Sequence, residues 1–183
     1  MPLQLVAPPL AEPITLADAK AYLKIDTSDE DALISTLVTA ARARAEWHTG
    51  RAFVAQSWIL WLDCWREVVE IPLPPLVAVT SVTAYASDGT PSVLSASDYF
   101  VDAASQPGRV ALACVPPADL RRRNALAIAF DAGYGAAASD VPAPIGQAIL
   151  AIVADLHLHR GEGPATEPAA AQALLAPYRM FKL

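Results

Sequence analysis

The hydrophobic pattern changes period twice along the chain. Apolar residues recur at three- and four-residue steps up to Gly50, at two-residue steps or in β-branched runs from Ser57 to Asp131, and at helical steps again from Val141 to His159. The longest helical stretch, residues 28–53, sets Leu33, Ile34, Leu37, Val38, Ala41 and Ala45 on one face, with Asp31, Ser35, Arg42 and Glu46 elsewhere. Ser28 is placed to cap its start, Asp29, Glu30 and Asp31 put negative charge at the positive end of the helix dipole, and Gly50 closes it. Burying its four large aliphatics would contribute about 6–12 kcal/mol before ordering entropy is subtracted. That makes this helix the expected spine of the core, and nothing on it looks catalytic. Before it, Thr15 and Asp18 form a capping box that opens a short helix with Leu16, Ala19, Tyr22 and Leu23 on one face, so the pair predicts a helical hairpin.

Between the helical stretches the pattern predicts strands over 57–63, 67–71, 77–86, 99–102, 108–114 and 125–131. The run 77–86 is the clearest, with Val77, Val79, Ser81, Thr83 and Tyr85 on one face, and Asp88–Gly89 after it supplies a hairpin turn. Pro72, Pro74 and Pro75 forbid a central strand and mark a crossing. In 141–159 the stripe is Ile145, Ala148, Ile149, Ile152, Val153 and Leu156, with Pro142 or Pro144 near the start and Gly161 and Gly163 after the end. Residues 1–13 hold four prolines and predict an extended arm lying along a surface. The last twenty residues offer a helix start at Pro168, the run AAAQALLA, and a stop at Pro177. The expected fold class is therefore α+β: a helical core (N-terminal helical hairpin plus C-terminal helix, residues 1–56 and 141–163), an inserted, mostly antiparallel β subdomain (57–140), and an extended C-terminal docking tail (164–183).

Composition narrows the function classes. The 183 residues suffice for one domain with a sizeable core or one carrying a subdomain. A hydrophobic fraction of 54% is inflated by alanine, and aromatics make up only 7%, which points to helix faces and small strands rather than aromatic clusters. A net charge of −6 argues against binding nucleic acid by phosphate neutralisation. Cys64 and Cys114 form no short-spaced metal pair; reduced thiols are the expectation, and a single disulfide between them stays open. No signal peptide or bilayer-spanning run is recognised, and the expectation is a soluble, cytosolic chain without membrane contact.

Candidate chemistry is sparse. Asp155, His157 and His159 have metal-ligand types, but residues two apart on a helix point about 200° from one another, so no metal is expected and the histidines are read as favouring the helix C-terminus. Arg121, Arg122 and Arg123 form the one basic run, read as a solvated loop or the contact of an acidic partner, with a DNA-contacting accessory role as a further alternative. Gly133-Tyr134-Gly135 lacks a phosphate-loop ending and predicts a turn. No nucleophile elbow or Cys–His pairing is found, and Glu67 and Glu70 would act as acid and base only by accident of folding. No catalytic residue and no cofactor are assigned. The competing enzyme reading is a small intracellular enzyme or ligand-binding protein that uses the β unit as a pocket.

The ordered series PITLADAKAYLKID, DEDALISTLVTAARARAEWHTGRAFVAQSW, LPLPPLVAVTSVTAY, DYFVD, PGRV, AFDAGYG, VPAPIGQAILAIVADLHLHR and LLAPYR resembles the phage head-tail connector (adaptor) proteins. The resemblance is to the long form with a β insertion, as in prophages and gene transfer agents, and it covers nearly the whole chain. It implies a structural subunit, not an enzyme, forming a twelvefold ring with copies of itself between the portal protein and the stopper or tail-completion protein. Such a subunit lines the DNA passage without specific binding and sits in the neck of a virion or phage-like particle assembled in the bacterial cytoplasm. An acidic ring would let DNA slide rather than stick. In such connectors the C-terminal segment inserts at the portal, which makes Leu174, Leu175, Pro177, Tyr178, Arg179 and Phe181 the expected contacts; the competing reading folds the tail back over its own helices.

Overall fold

Thr15 accepts a hydrogen bond from the Asp18 amide while Asp18 accepts from the Thr15 amide, so the capping box forms as its spacing predicts and starts helix α1, Leu16–Leu23. The computed structural model describes residues 2–113, 119–159 and 168–180. The chain is α+β, with four helices, a five-stranded sheet and a three-stranded sheet among the described residues. It divides into two units, one of residues 11–54 and 135–183, the other of residues 1–10 and 55–134.

The first unit is helical. Helix α2, Asp31–Thr49, packs against α3, Ala143–His159, which in turn carries α4, Ala169–Leu175, while α1 lies against both α2 and α3. Ile34, Val38, Ile145, Ile149, Ile152 and Leu175 are fully or almost fully buried, and Ala19, Ala41, Ala45, Ala148 and Ala171 between them let the helix axes approach closely. Gly50 ends α2 in the left-handed region at φ 70°, as the pattern predicts.

Three details of α2 differ from the expectation. Its first residue is Asp31, not Asp29; the cap position is Glu30, which makes no side-chain cap bond, and Ser28 contributes only its carbonyl to the Asp31 amide. Leu33 is 49% exposed and Leu37 half-exposed, so two of the four large aliphatics, Ile34 and Val38, supply the full burial and the helix contributes about half the expected energy, about 3–6 kcal/mol. Arg42, expected away from the core face, is buried. In α1, Ala19 rather than Tyr22 is the buried contact, and Tyr22 is exposed.

The second unit is β. Its larger sheet runs β1 (Leu3–Ala7), β2 (Gln56–Leu62), β8 (Leu126–Ala132), β4 (Leu76–Tyr85), β5 (Pro91–Val93), all antiparallel. The smaller is β3 (Val68–Ile71), β7 (Gly108–Leu112), β6 (Tyr99–Asp102), also antiparallel. The six predicted strands form within a residue or two of their expected ends. The arm is more than an extended segment, because Leu3, Gln4 and Leu5 pair with Leu60, Ile59 and Trp58. On β4 the buried side is Leu76, Val82 and Ala84, while Val77 is exposed and Val79, Ser81, Thr83 and Tyr85 are half-exposed. Leu60, Leu62, Ile128 and Phe130 from the larger sheet and Val69, Ile71 and Val110 from the smaller are all nearly inaccessible. Gly108 is needed where the sheets meet: a Cβ there would come within 2.7 Å of the Leu76 side chain. Asp88 accepts from the Thr90 amide and Gly89 takes φ 89°, making the predicted turn between β4 and β5.

Candidate docking surfaces

The C-terminal segment lies on its own helical unit in this structure. Ala171 and Leu175 are fully buried on the α3 side of α4, while Leu174 and Tyr178 are half-buried and Pro177 and Arg179 exposed. Two backbone-directed bonds then hold the chain past α4 against the end of α2: Arg51 Nε donates to the Tyr178 carbonyl at 2.5 Å, and the Met180 amide donates to the Thr49 carbonyl at 2.8 Å. Thr49 is one of the last residues of α2, whose carbonyls have no helical partner, so the tail satisfies an end-of-helix acceptor. Phe181 lies outside the described residues. Of the residues expected at the portal, Leu174, Pro177, Tyr178 and Arg179 keep some surface; the burial of Leu175 follows from its position four residues after Ala171 on the same helical face.

A second polar assembly fixes the entry to the unit. Arg42 Nε donates to Glu12 Oε2 at 2.7 Å and Arg42 Nη1 to Glu46 Oε2 at 2.6 Å, Thr39 donates to Glu12 Oε1, and Glu46 Oε1 accepts the Phe53 amide at 2.8 Å. One buried guanidinium thus ties the segment before α1 to α2, and Glu46 extends the tie to the chain leaving α2. A groove of about 350 Å³ runs alongside, lined by Glu12, Ile14, Leu16, Val38, Thr39 and Ala138. It belongs to the helical unit, not the β unit, and its carboxylate is already committed to Arg42.

The residues singled out for chemistry separate. His157 Nε2 is 3.1 Å from Glu30 Oε2, while His159 Nδ1 is 3.0 Å from the Asp155 carbonyl and 3.1 Å from its carboxylate. Each histidine therefore has its own partner, and among the described residues no group of three His, Cys, Asp or Glu side chains converges. Arg121 is no solvated loop residue: its guanidinium sits 4.1 Å from the Tyr85 ring centre and 5.8 Å from that of Trp61, with Nε donating to the Asn124 carbonyl. Arg122 and Arg123 stay exposed, and Arg123 is 3.9 Å from Asp63. Glu70 stands on β3 opposite Arg109 of β7. Cys64 is exposed; Cys114 lies outside the described residues. Among the described residues no helix is long and apolar enough to cross a membrane.

The family model of phage gp6-like head-tail connector proteins matches residues 13–103, about half of the chain, and the chain belongs to that family. No curated protein matches it. Among solved structures it is similar to a chain of the virion of a native gene transfer agent particle, at 24% identity and a TM-score of 0.84. It is also similar to a chain in the neck of an empty gene transfer agent particle computed with C6 symmetry, at 25% identity and a TM-score of 0.84. A third, in the neck of a native particle computed with C12 symmetry, gives 26% identity and a TM-score of 0.81. Each likeness covers 100% of this chain and 97% of the other. The chain is a structural head-tail connector subunit. The enzyme alternative finds no support.

Proposed function

We propose that this connector forms a ring, twelvefold as in the neck computed with C12 symmetry, that joins a portal to a stopper or tail-completion protein in a phage or phage-like particle. The observation that carries this reading is the likeness to chains of gene transfer agent necks, which covers 100% of this chain. The subunit acts by binding, without catalysis, and would be assembled in the bacterial cytoplasm before entering the neck. DNA passes the ring without being held, because each copy brings a net charge of −6.

The portal contact is assigned to Leu174, Leu175, Pro177, Tyr178, Arg179 and Phe181. Leu174, Pro177, Tyr178 and Arg179 already present surface, whereas Leu175 becomes available only if α4 lifts from α3. The exchange costs a buried leucine and two hydrogen bonds, so the portal must offer at least an apolar slot and a backbone-pairing edge in return.

Co-sedimentation with portal rings from the same gene cluster tests this. The full-length chain is expected to pellet with the portal, and the double change Pro177→Asp with Tyr178→Asp to lose most of that binding while keeping its helical content. Full binding by the double variant would assign the portal contact to the helical core or the β unit instead. Failure of the full-length chain to bind an intact portal would overturn the partner assignment.

A further inference from the structure

Helix α2 keeps charge off its outer face. Its charged residues sit inward: Arg42 is buried, and Asp31, Arg44 and Glu46 are half-buried. Its exposed residues from Ala32 to Trp47 carry no charge at all, although charged residues make up 17% of the chain. Leu33, Thr36, Ala40, Ala43 and Trp47 follow one another at steps of three and four, a stripe about 21 Å long on the side of the helix away from Ile34, Val38, Ala41 and Ala45. Trp47 is 86% exposed at one end and Leu33 caps the other. A helix face meant for water would carry lysines and glutamates; this one has the make-up of an interface centre, with a large aromatic and no charge.

Resting on the ring reading above, we infer that this stripe is the surface by which one subunit docks on the next copy. A ring requires heterologous contacts, so each copy must offer a second, different apolar face to receive it. The three-stranded sheet supplies one. Val68, Ala111 and Phe100 stand opposite one another on adjacent strands, in the phase that faces away from Val69 and Val110, with Val68 54% and Phe100 69% exposed. The next row along the strands is Glu70, Arg109 and Asp102, a polar rim beside an apolar centre. Ala40 and Ala43 allow the helix backbone to come close to such a row, and Trp47 and Phe100 are the aromatic anchors. The occupant of the α2 stripe is therefore the Val68–Ala111–Phe100 row of a second copy.

Heterologous geometry gives a sharp test. The mass of the full-length chain is measured by native mass spectrometry and sedimentation, alone and on portal rings. The parent is expected to form the ring, while Trp47→Glu and Phe100→Glu each remain at the 19.3 kDa of one subunit, a twelvefold drop, with unchanged melting temperatures. Trp47→Phe should keep the ring. An equimolar mixture of the two glutamate variants should stop at two copies, because the Phe100→Glu chain still offers its helix and the Trp47→Glu chain still offers its sheet row, and neither can extend further. A ring that survives Trp47→Glu, or a mixture that stays single, overturns the inference while leaving the ring reading standing; Trp47→Glu losing portal binding but keeping the ring would assign the stripe to the portal instead. A parent that forms no ring in either condition overturns both.

Discussion

Arg42 shows how one side chain can organise a fold without any chemistry of its own. Its side chain is 11% accessible and its two carboxylate partners, Glu12 and Glu46, are 29% and 13% accessible. Taking the arginine away leaves two acids facing each other over an uncompensated site, whereas the intact group is close to neutral in cost. Arg42→Ala is therefore expected to destabilise the protein by about 3 kcal/mol, the lower end of what breaking a buried pair costs because Glu12 keeps some water. Urea unfolding should show this as a lower midpoint at unchanged slope. Asp102 gives a pH dependence. The Ser105 hydroxyl donates to it at 2.6 Å and the Ser105 and Ala104 amides at 3.1 Å, which holds its carboxyl below the ordinary 3.8. A carboxyl whose folded-state pKa is depressed stabilises fully above its unfolded value and loses that contribution as pH falls through the folded one. The turn after β6 should thus loosen below about pH 4, read as smaller amide protection factors at Ala104 and Ser105 once the intrinsic pH dependence of exchange is divided out. Asp102→Asn should remove the acid-dependent part of that change.

At the level of elements, α4 is the least secure by its own sequence and depends most on packing. Seven residues are too few for a stable helix in water, so its order comes from Ala171 and Leu175 set against α3. Leu175→Ala is expected to cost about 2–5 kcal/mol, and loss of protection at the Met180 amide should accompany it, since that amide bonds Thr49 only while the tail is held. Elements with a strong period are legible in the sequence: α1 through its capping box, the body and glycine end of α2, α3 from its stripe, and six strands. What was not legible has physical causes. β1 spans five residues beside prolines, too short for alternation to stand out, and becomes a strand because β2 offers an edge. β5 begins at a proline and lasts three residues, so only the hairpin turn before it gave a sign. The burial of Arg42 escaped because hydrophobic spacing counts an arginine as polar, while two glutamates from different segments make it a core residue. The charge-free outer stripe of α2 was visible in the same residues, but an amphipathic reading asks only for one apolar face.

For the molecule as a whole, the net charge sets how it would meet DNA. The chain carries 19 acidic against 13 basic residues, and its one basic run puts the exposed Arg122 and Arg123 next to the stacked Arg121. Arg121 holds its guanidinium against Tyr85, and Arg123 lies near Asp63, so the run offers few charges to a phosphate. Duplex binding by the single subunit should be undetectable at about 150 mM salt, since each displaced counterion contributes a slope of only about −0.9 and two or three contacts cannot overcome the surrounding negative field. At about 20 mM salt, any residual affinity should fall with a log–log slope no steeper than about −3 and disappear in the double change Arg122→Glu with Arg123→Glu. Fluorescence anisotropy with a labelled duplex measures both. A steeper slope, or binding that persists at about 150 mM, would mean that the subunit grips duplex DNA, and a ring of such subunits around DNA would brake its passage rather than let it slide.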